Sequence, residues 1–165
     1  MSSKADYTTE EWKSVLATPY YAAMLIIVSD INVAYFKEVT ALAQAVMASA
    51  EGSKNELIRE VSREFSDKAN QEAIKPELEK MKGEKDPAAL MQTMTEYVVN
   101  TADLVTSKSE EDGEAYRRWL LYLAEKTAEG SKEGGFLGIG AVRVSDKEKA
   151  ALDALAQTLG IDTPA

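Results

Sequence analysis

Histidine and cysteine are both absent from this chain of 165 residues. Their absence removes the usual ligands of zinc, copper, haem iron and iron–sulfur clusters, and with them the Glu-x-x-His pairs of carboxylate-bridged di-iron bundles. It also removes Ser-His-Asp and Cys-His nucleophile systems, and the one side chain that titrates near neutrality unaided. Catalysis would have to run on carboxylates, lysine, tyrosine or a bound cofactor, so the chain reads as a non-enzyme. Without cysteine nothing suggests a disulfide-built secreted module. Positive charge is scarce too: 19 Lys and Arg against 28 Asp and Glu leave a formal charge of −9. That balance opposes a polyanion, and no basic run interleaved with aromatics appears, so nucleic acid is not expected as a partner. Mixed Lys and Glu mean solubility, with an affinity for cations or basic partners. Long apolar runs are missing as well. The strongest, Tyr20–Val28, falls far short of the roughly 20 residues needed to cross a bilayer. Met1–Tyr7 lacks the apolar core of a signal peptide, so we expect a cytoplasmic protein with no membrane span.

Helical signals fill most of what is present. Thr8 stands three residues ahead of Glu11, a hydroxyl–acid pairing that satisfies the free amides at a helix start, so a short first helix is expected. Thr18-Pro19 reads as a restart, because proline suits a first turn, and Tyr20 to Val28 is apolar on every side. That places a helix over Pro19–Val28 at the centre of a bundle. Ser29 to Asn32 breaks the chain, and Val33, Phe36, Thr40, Ala43 and Met47 then line one face of a helix ending near Gly52. Ser53 caps the next, where Leu57, Ile58, Val61 and Phe65 recur among alternating charges. Pro76 is expected to open a new helical piece closed by Gly83, since proline inside a helix costs about 3 kcal/mol. Asp86-Pro87 opens another, with Leu90, Met91, Met94, Val98 and Val105. Ser109 to Gly130 is the clearest long helix, with Tyr116, Trp119, Leu120 and Leu123 inward. Ser145 and Glu148 form a second capping box ahead of a final helix that stops at Gly160. Val142-Arg143-Val144 alternates like a strand but is too short to anchor a sheet. The prediction is a single all-α domain over residues 8–162: a compact bundle of six or seven helices with a buried central helix, a glycine-rich apolar loop before the last helix, and residues 1–7 as a disordered tail.

Glycine is concentrated in that loop. Of nine glycines, four fall in Gly134-Gly135-Phe136-Leu137-Gly138-Ile139-Gly140, beside three apolar side chains that give it a reason to dock. It lacks the third glycine of a dinucleotide fingerprint and any following Gly-Lys-Ser/Thr, so an apolar loop packed between the last two helices, or a lid for a ligand or partner, fits better than a phosphate cradle. The start of the last helix, with Ser145 and the amides of Asp146 and Lys147, offers an anion site, which Asp146 and Glu148 oppose. Carboxylates beside the interhelical breaks are candidate ligands for Ca²⁺, Mg²⁺ or Mn²⁺, cations content with oxygen donors alone. Asp30 and Glu38 flank one break, Asp146 and Glu148 the other. Neither pair has the spacing of a helix–loop–helix calcium site, and caps or solvated acids are the plainer assignment. Tyr20, Tyr21, Trp119 and Tyr122, with Met24, Met91 and Met94, either line an apolar cavity or form plain core. Arg117 and Arg118 either bind an anion or pair with Glu114 or Glu125.

The stretch from Glu125-Lys126 through Ser131-Lys132-Glu133-Gly134-Gly135-Phe136-Leu137-Gly138 to Val142-Arg143-Val144-Ser145-Asp146-Lys147-Glu148 resembles the C-terminal signature of a family of small bacterial helical proteins of uncharacterised role. Trp12-Lys13, Leu16 and Pro19 resemble that family's N-terminal part. This resemblance implies a helical fold and carries no activity. Met24 to Met47, with Asp30 and Glu38, also parallels Leu120 to Leu159, with Glu148. In this the chain is similar to tellurite-resistance B-type (TerB-like) domains, whose two halves each place an acidic, glycine-bearing turn before a helix with an early Glu. Here Ile31 follows Asp30 where glycine is expected, and Gly134–Gly140 is an insertion. The TerB-like resemblance implies a divalent-cation site on Asp30, Glu38, Asp146 and Glu148. The leading functional expectation is a non-enzymatic interaction or scaffold protein that contacts a protein partner through Phe136, Leu137 and Ile139 within the 134–144 loop and its flanking helices. Cation binding is the alternative, a carrier of apolar ligands a third, and self-association is compatible with each.

Overall fold

Helix starts in this chain coincide with side chains that accept the free amides of a first turn. The computed structural model describes residues 1–30, 35–130 and 144–162, which form a 3₁₀ turn, Lys4–Asp6, and seven α-helices: α1 Thr9–Ser29, α2 Tyr35–Gly52, α3 Glu56–Phe65, α4 Lys68–Glu79, α5 Pro87–Lys108, α6 Glu110–Gly130 and α7 Asp146–Thr158. Thr8 and Ser145 close capping boxes with Glu11 and Glu148, while Asn55, Asp67 and Asp86 cap α3, α4 and α5 with their side-chain oxygens. Among the described residues there is no strand, and the fold is the all-α bundle that the periodicity predicts. None of these helices is long and apolar enough to cross a membrane.

The centre of the bundle is α1, which packs against every other α-helix. Its residues Val15, Leu16, Tyr21, Leu25 and Ile26 are buried among Val98 and Val105 of α5, and Tyr116, Leu120 and Leu123 of α6. The expected restart at Pro19 does not occur: α1 runs unbroken through it. Proline cannot donate to the carbonyl four residues back, so Val15 O loses its helical partner. The buried Tyr116 hydroxyl donates to that oxygen at 2.7 Å and removes the vacancy from outside the helix. A second correction concerns Pro76, which lies within α4 rather than opening it, because Asp67 starts the helix eight residues earlier by accepting from Ala69 and Asn70. A third concerns the cap of α3, where Asn55 takes the place expected of Ser53.

The stripe Phe36, Thr40, Ala43 and Met47 on α2 faces outward, with Phe36 79% and Met47 63% exposed. The inward face is Glu38, Leu42, Ala45, Val46 and Ser49. At the end of α6 the two helices, α2 and α6, lie close together. A Cβ on Gly130 would stand 2.7 Å from the Ala41 Cβ and 2.9 Å from Lys37 O, room that only glycine leaves. The first seven residues, expected as a tail, lie against the bundle: Ser2 and Tyr7 are buried, and Trp12 donates from Nε1 to Glu64 at 2.8 Å beneath them.

Candidate functional site

Four acidic side chains of the described residues are buried: Glu38, Glu77, Asp112 and Glu148. Removing a carboxylate from water is expensive unless hydrogen bonds or a cation replace the hydration shell. Two of the four meet that condition. Glu77 receives Lys80 Nζ at 2.7 and 2.8 Å and the Tyr97 hydroxyl at 3.1 Å. Asp112 receives the Ser2 backbone N–H, the Ser2 hydroxyl at 2.9 Å and Asn55 Nδ2 at 2.8 Å. Burial pushes the Asp112 carboxyl up, but these bonds outweigh it and the group sits below the ordinary Asp range.

Glu38 and Glu148 do not meet it. Each is 1% exposed, and each has an Oε1 with no hydrogen-bond partner. Glu148 uses its other oxygen to accept from the Ser145 N–H at 2.6 Å, while its own N–H donates to the Ser145 hydroxyl at 3.1 Å. The capping box that starts α7 therefore aims one carboxylate oxygen inward with its orientation fixed. Glu38 lies in the first turn of α2, beneath the end of α6, where a Cβ on Gly130 would stand 3.2 Å from its Cα. Burial, then the charge of Glu148, then that of Asp30 push the Glu38 carboxyl up to about 7. The two buried acids and Asp30 thus share one electrostatic field.

Four helix ends meet at this point. The N-termini of α2 and α7 carry Glu38 and Glu148, and the C-termini of α1 and α6 arrive with Asp30 and Gly130. Two positive dipole ends oppose two negative ones, so the side chains set the net charge of the site. Asp30 caps the C-terminus of α1 and lies 3.6 Å from Lys147 Nζ. Of the four carboxylates expected as ligands, Glu38 feels the charges of Glu148 and Asp30. Asp146 stands apart: its side chain is fully exposed and turned to Lys149 at 3.6 Å. Among the described residues no three acidic side chains close on a common point, so the site holds two protein carboxylates with Asp30 as an outer charge.

Phe136, Leu137 and Ile139, with the rest of the 134–140 loop and Val142-Arg143, lie outside the described residues. The arginines take the plain alternative: Arg118 pairs with Glu114 at 2.9 Å, and Arg117 with Asp103 while also donating to Leu159 O at 3.3 Å. Tyr21, Trp119 and Met94 are core, whereas Tyr20 and Met24 border an open surface cleft of about 360 Å³ with Leu78 and Met81. A second open groove, about 570 Å³, runs between α2 and α6 past Phe36, Ala45, Ala48 and Tyr122. Neither has the concave, enclosed form of a small-molecule site. Sequence reasoning gave no role to Asp112, which reads as an ordinary first-turn acid after Glu110 and Glu111, nor to Lys147 as the neighbour of Asp30. Comparison with protein-family models, curated proteins and solved structures finds no match, and neither resemblance gains a relative from it.

Proposed function

We propose that this protein is a divalent-cation-binding helical domain in which Glu38 and Glu148 are the protein ligands. The observation that carries this reading is the pair of buried carboxylates, each with an oxygen that lacks a hydrogen-bond partner among the described residues, where the other buried acids, Glu77 and Asp112, have theirs. A hard cation supplies the missing partner. Mg²⁺ and Mn²⁺ accept one or two carboxylates completed by water, and Ca²⁺ takes carboxylates with main-chain carbonyls. A cation between the two acids would replace repulsion with attraction, so binding couples directly to the stability of the four-helix junction. The alternative of a protein-contact surface rests on Phe136, Leu137 and Ile139, and no observation on the described residues favours it.

Thermal melting with Ca²⁺, Mg²⁺, Mn²⁺ or a chelator tests the proposal. A cation at about 100 times its dissociation constant adds roughly 2.7 kcal/mol, or about 5–10 °C for a domain of this size. The shift should vanish in Glu38→Gln and in Glu148→Gln. Identical melting under all four conditions rejects it.

A further inference from the structure

We propose that the outer face of α2 pairs with the same face of a second copy of this chain, antiparallel and about a two-fold axis at Gln44. Val39–Ala50 carries no charge, in a chain that is 28% charged. A longer such run, Ser14–Ser29, belongs to the central helix α1, which buries most of it. Helix α2 does not bury its own: Thr40, Ala43, Gln44, Met47 and Ala48 are exposed. Lys37, Ala41, Gln44, Ala48 and Glu51 follow one another at alternating spacings of four and three, so they form a single seam along the helix, flanked by Thr40 and Met47. The open groove between α2 and α6 runs beside this seam, lined by Ala41, Ala45 and Ala48 on one side and Tyr122 on the other.

The seam is complementary to its own reverse. In an antiparallel pair with the axis at Gln44, Lys37 lies opposite Glu51 of the partner subunit, Thr40 opposite Ala48 of the partner subunit, and Met47 opposite Ala41 of the partner subunit. Opposite charges meet at both ends, and a large side chain meets a small one between them. Met47 of each copy then enters the groove of the other, and the two Gln44 amides, each both donor and acceptor, satisfy one another on the axis. Charge placement within the single helix points the same way. Lys37 stands in the first turn of α2 and Glu51 in the last, each at the helix end whose dipole disfavours it. Among the described residues neither has an ion-pair partner. Antiparallel pairing makes both placements favourable, because Lys37 faces the negative end of the partner helix and Glu51 its positive end. A neutral contact also suits a chain of formal charge −9, whose copies repel across the rest of their surfaces. A two-fold axis demands such self-complementarity, whereas a different protein would leave it without purpose.

Analytical ultracentrifugation of the full chain from about 5 µM to about 500 µM, in about 0.15 M salt, tests the proposal. Chelator is present throughout, so the outcome is separate from cation binding. The mass should rise with concentration from 18.0 kDa towards twice that value. Gln44→Lys sets two like charges on the axis and should raise the dissociation constant about tenfold or more. Lys37→Glu and Glu51→Lys should each raise it about fivefold to thirtyfold, since the symmetry repeats every change. The double variant Lys37→Glu/Glu51→Lys should return it to within about threefold of wild type, because opposite charges again meet at both ends. Both single changes suit the dipole of α2 itself, so circular dichroism should show unchanged helicity while the dimer is lost. A single-chain mass at every concentration overturns the proposal, whether or not another protein then proves to bind this face. A dimer indifferent to Gln44→Lys overturns it too, as does one that the double variant fails to restore.

Discussion

Replacing Glu38 by Gln should stabilise the cation-free protein, and by an amount that depends on pH. The folded state raises the Glu38 carboxyl from 4.5 to about 7 through burial and the charges of Glu148 and Asp30. Between those values the native state holds a proton that the unfolded chain has released. The native form then binds more protons than the unfolded form, so stability falls as pH rises through this window and is lowest above it. The rise from 4.5 to about 7, at roughly 1.4 kcal/mol per tenfold change in proton affinity, sets a ceiling of about 3.5 kcal/mol, which screening by solvent reduces to about 1–3 kcal/mol. Burial sets most of this value, and the charges of Glu148 from α7 and Asp30 at the end of α1 add to it. Gln keeps the shape and carries no charge. In chelator, denaturant unfolding at pH 8 should therefore show Glu38→Gln more stable than wild type by about 1–3 kcal/mol, with roughly a quarter of that gain at pH 5. Saturating Mn²⁺ or Ca²⁺ should reverse the order, because only wild type has the ligand. A variant that is less stable than wild type by the same amount at both pH values refutes the electrostatic argument, and with it the claim that these acids strain the fold.

Three further outcomes follow from the packing. Tyr116→Phe should cost about 1–3 kcal/mol in chemical denaturation, because Val15 O, which Pro19 cannot serve, is left buried and unpaired. In a Pro19→Ala background, where the helix supplies its own N–H, the same change should cost measurably less. Gly113→Ala should destabilise by about 1–3 kcal/mol, since the new Cβ would lie 2.2 Å from Thr106 Oγ1 and 2.6 Å from Thr106 Cα. An exposed helical glycine would gain about 1 kcal/mol from that change, so the sign of the melting shift decides. Asp112→Asn should cost about 1–3 kcal/mol near neutrality by placing an amide where Ser2 and Asn55 both donate. The lowered Asp112 carboxyl contributes fully above the ordinary Asp value of about 3.9 and loses its contribution as pH falls below it. The gap between variant and wild type should therefore close in acid.

The fold was legible where local signals agree with one another. Capping boxes at Thr8 and Ser145 are short-range devices, and both appear where the hydroxyl–acid spacing puts them. The uniformly apolar Tyr20–Val28 calls for burial, and α1 is the central helix, although Tyr20, Met24 and Val28 form a partly buried stripe along an open cleft. What failed was anything needing knowledge of a distant partner. Pro19 reads as a boundary because proline removes a helical bond, and only Tyr116, about a hundred residues away, makes continuity cheap. On α2 two stripes compete at helical spacing. Phe36 and Met47 look like core by hydrophobicity, but the stripe of Leu42, Ala45 and Val46 is the one that α2 buries, and Phe36 and Met47 face out. Of the carboxylates chosen for their position beside the helix breaks, Glu38 and Glu148 are buried and Asp30 caps α1. Asp146 has the same local credentials and faces solvent, because N3 of a capping box turns back toward the helix start and N1 does not.

The two buried acids stand apart from everything else that holds this bundle together. Its cohesion comes from apolar side chains of α1, α5 and α6, and from polar groups at Asp112, Glu77 and Tyr116 that find their partners within the fold. Glu38 and Glu148 oppose that cohesion: their charges repel and their free oxygens lack donors. Replacing buried ionic groups by apolar residues of similar volume is commonly neutral or stabilising. A Glu38→Met/Glu148→Leu protein should accordingly fold and melt higher than the cation-free wild type, although Glu148→Leu sacrifices half of the α7 capping box. A local rule broken without structural return marks a place where a sequence serves something other than folding. On the reading proposed above, a cation that is content with oxygen donors would supply what Glu38 and Glu148 lack at this junction.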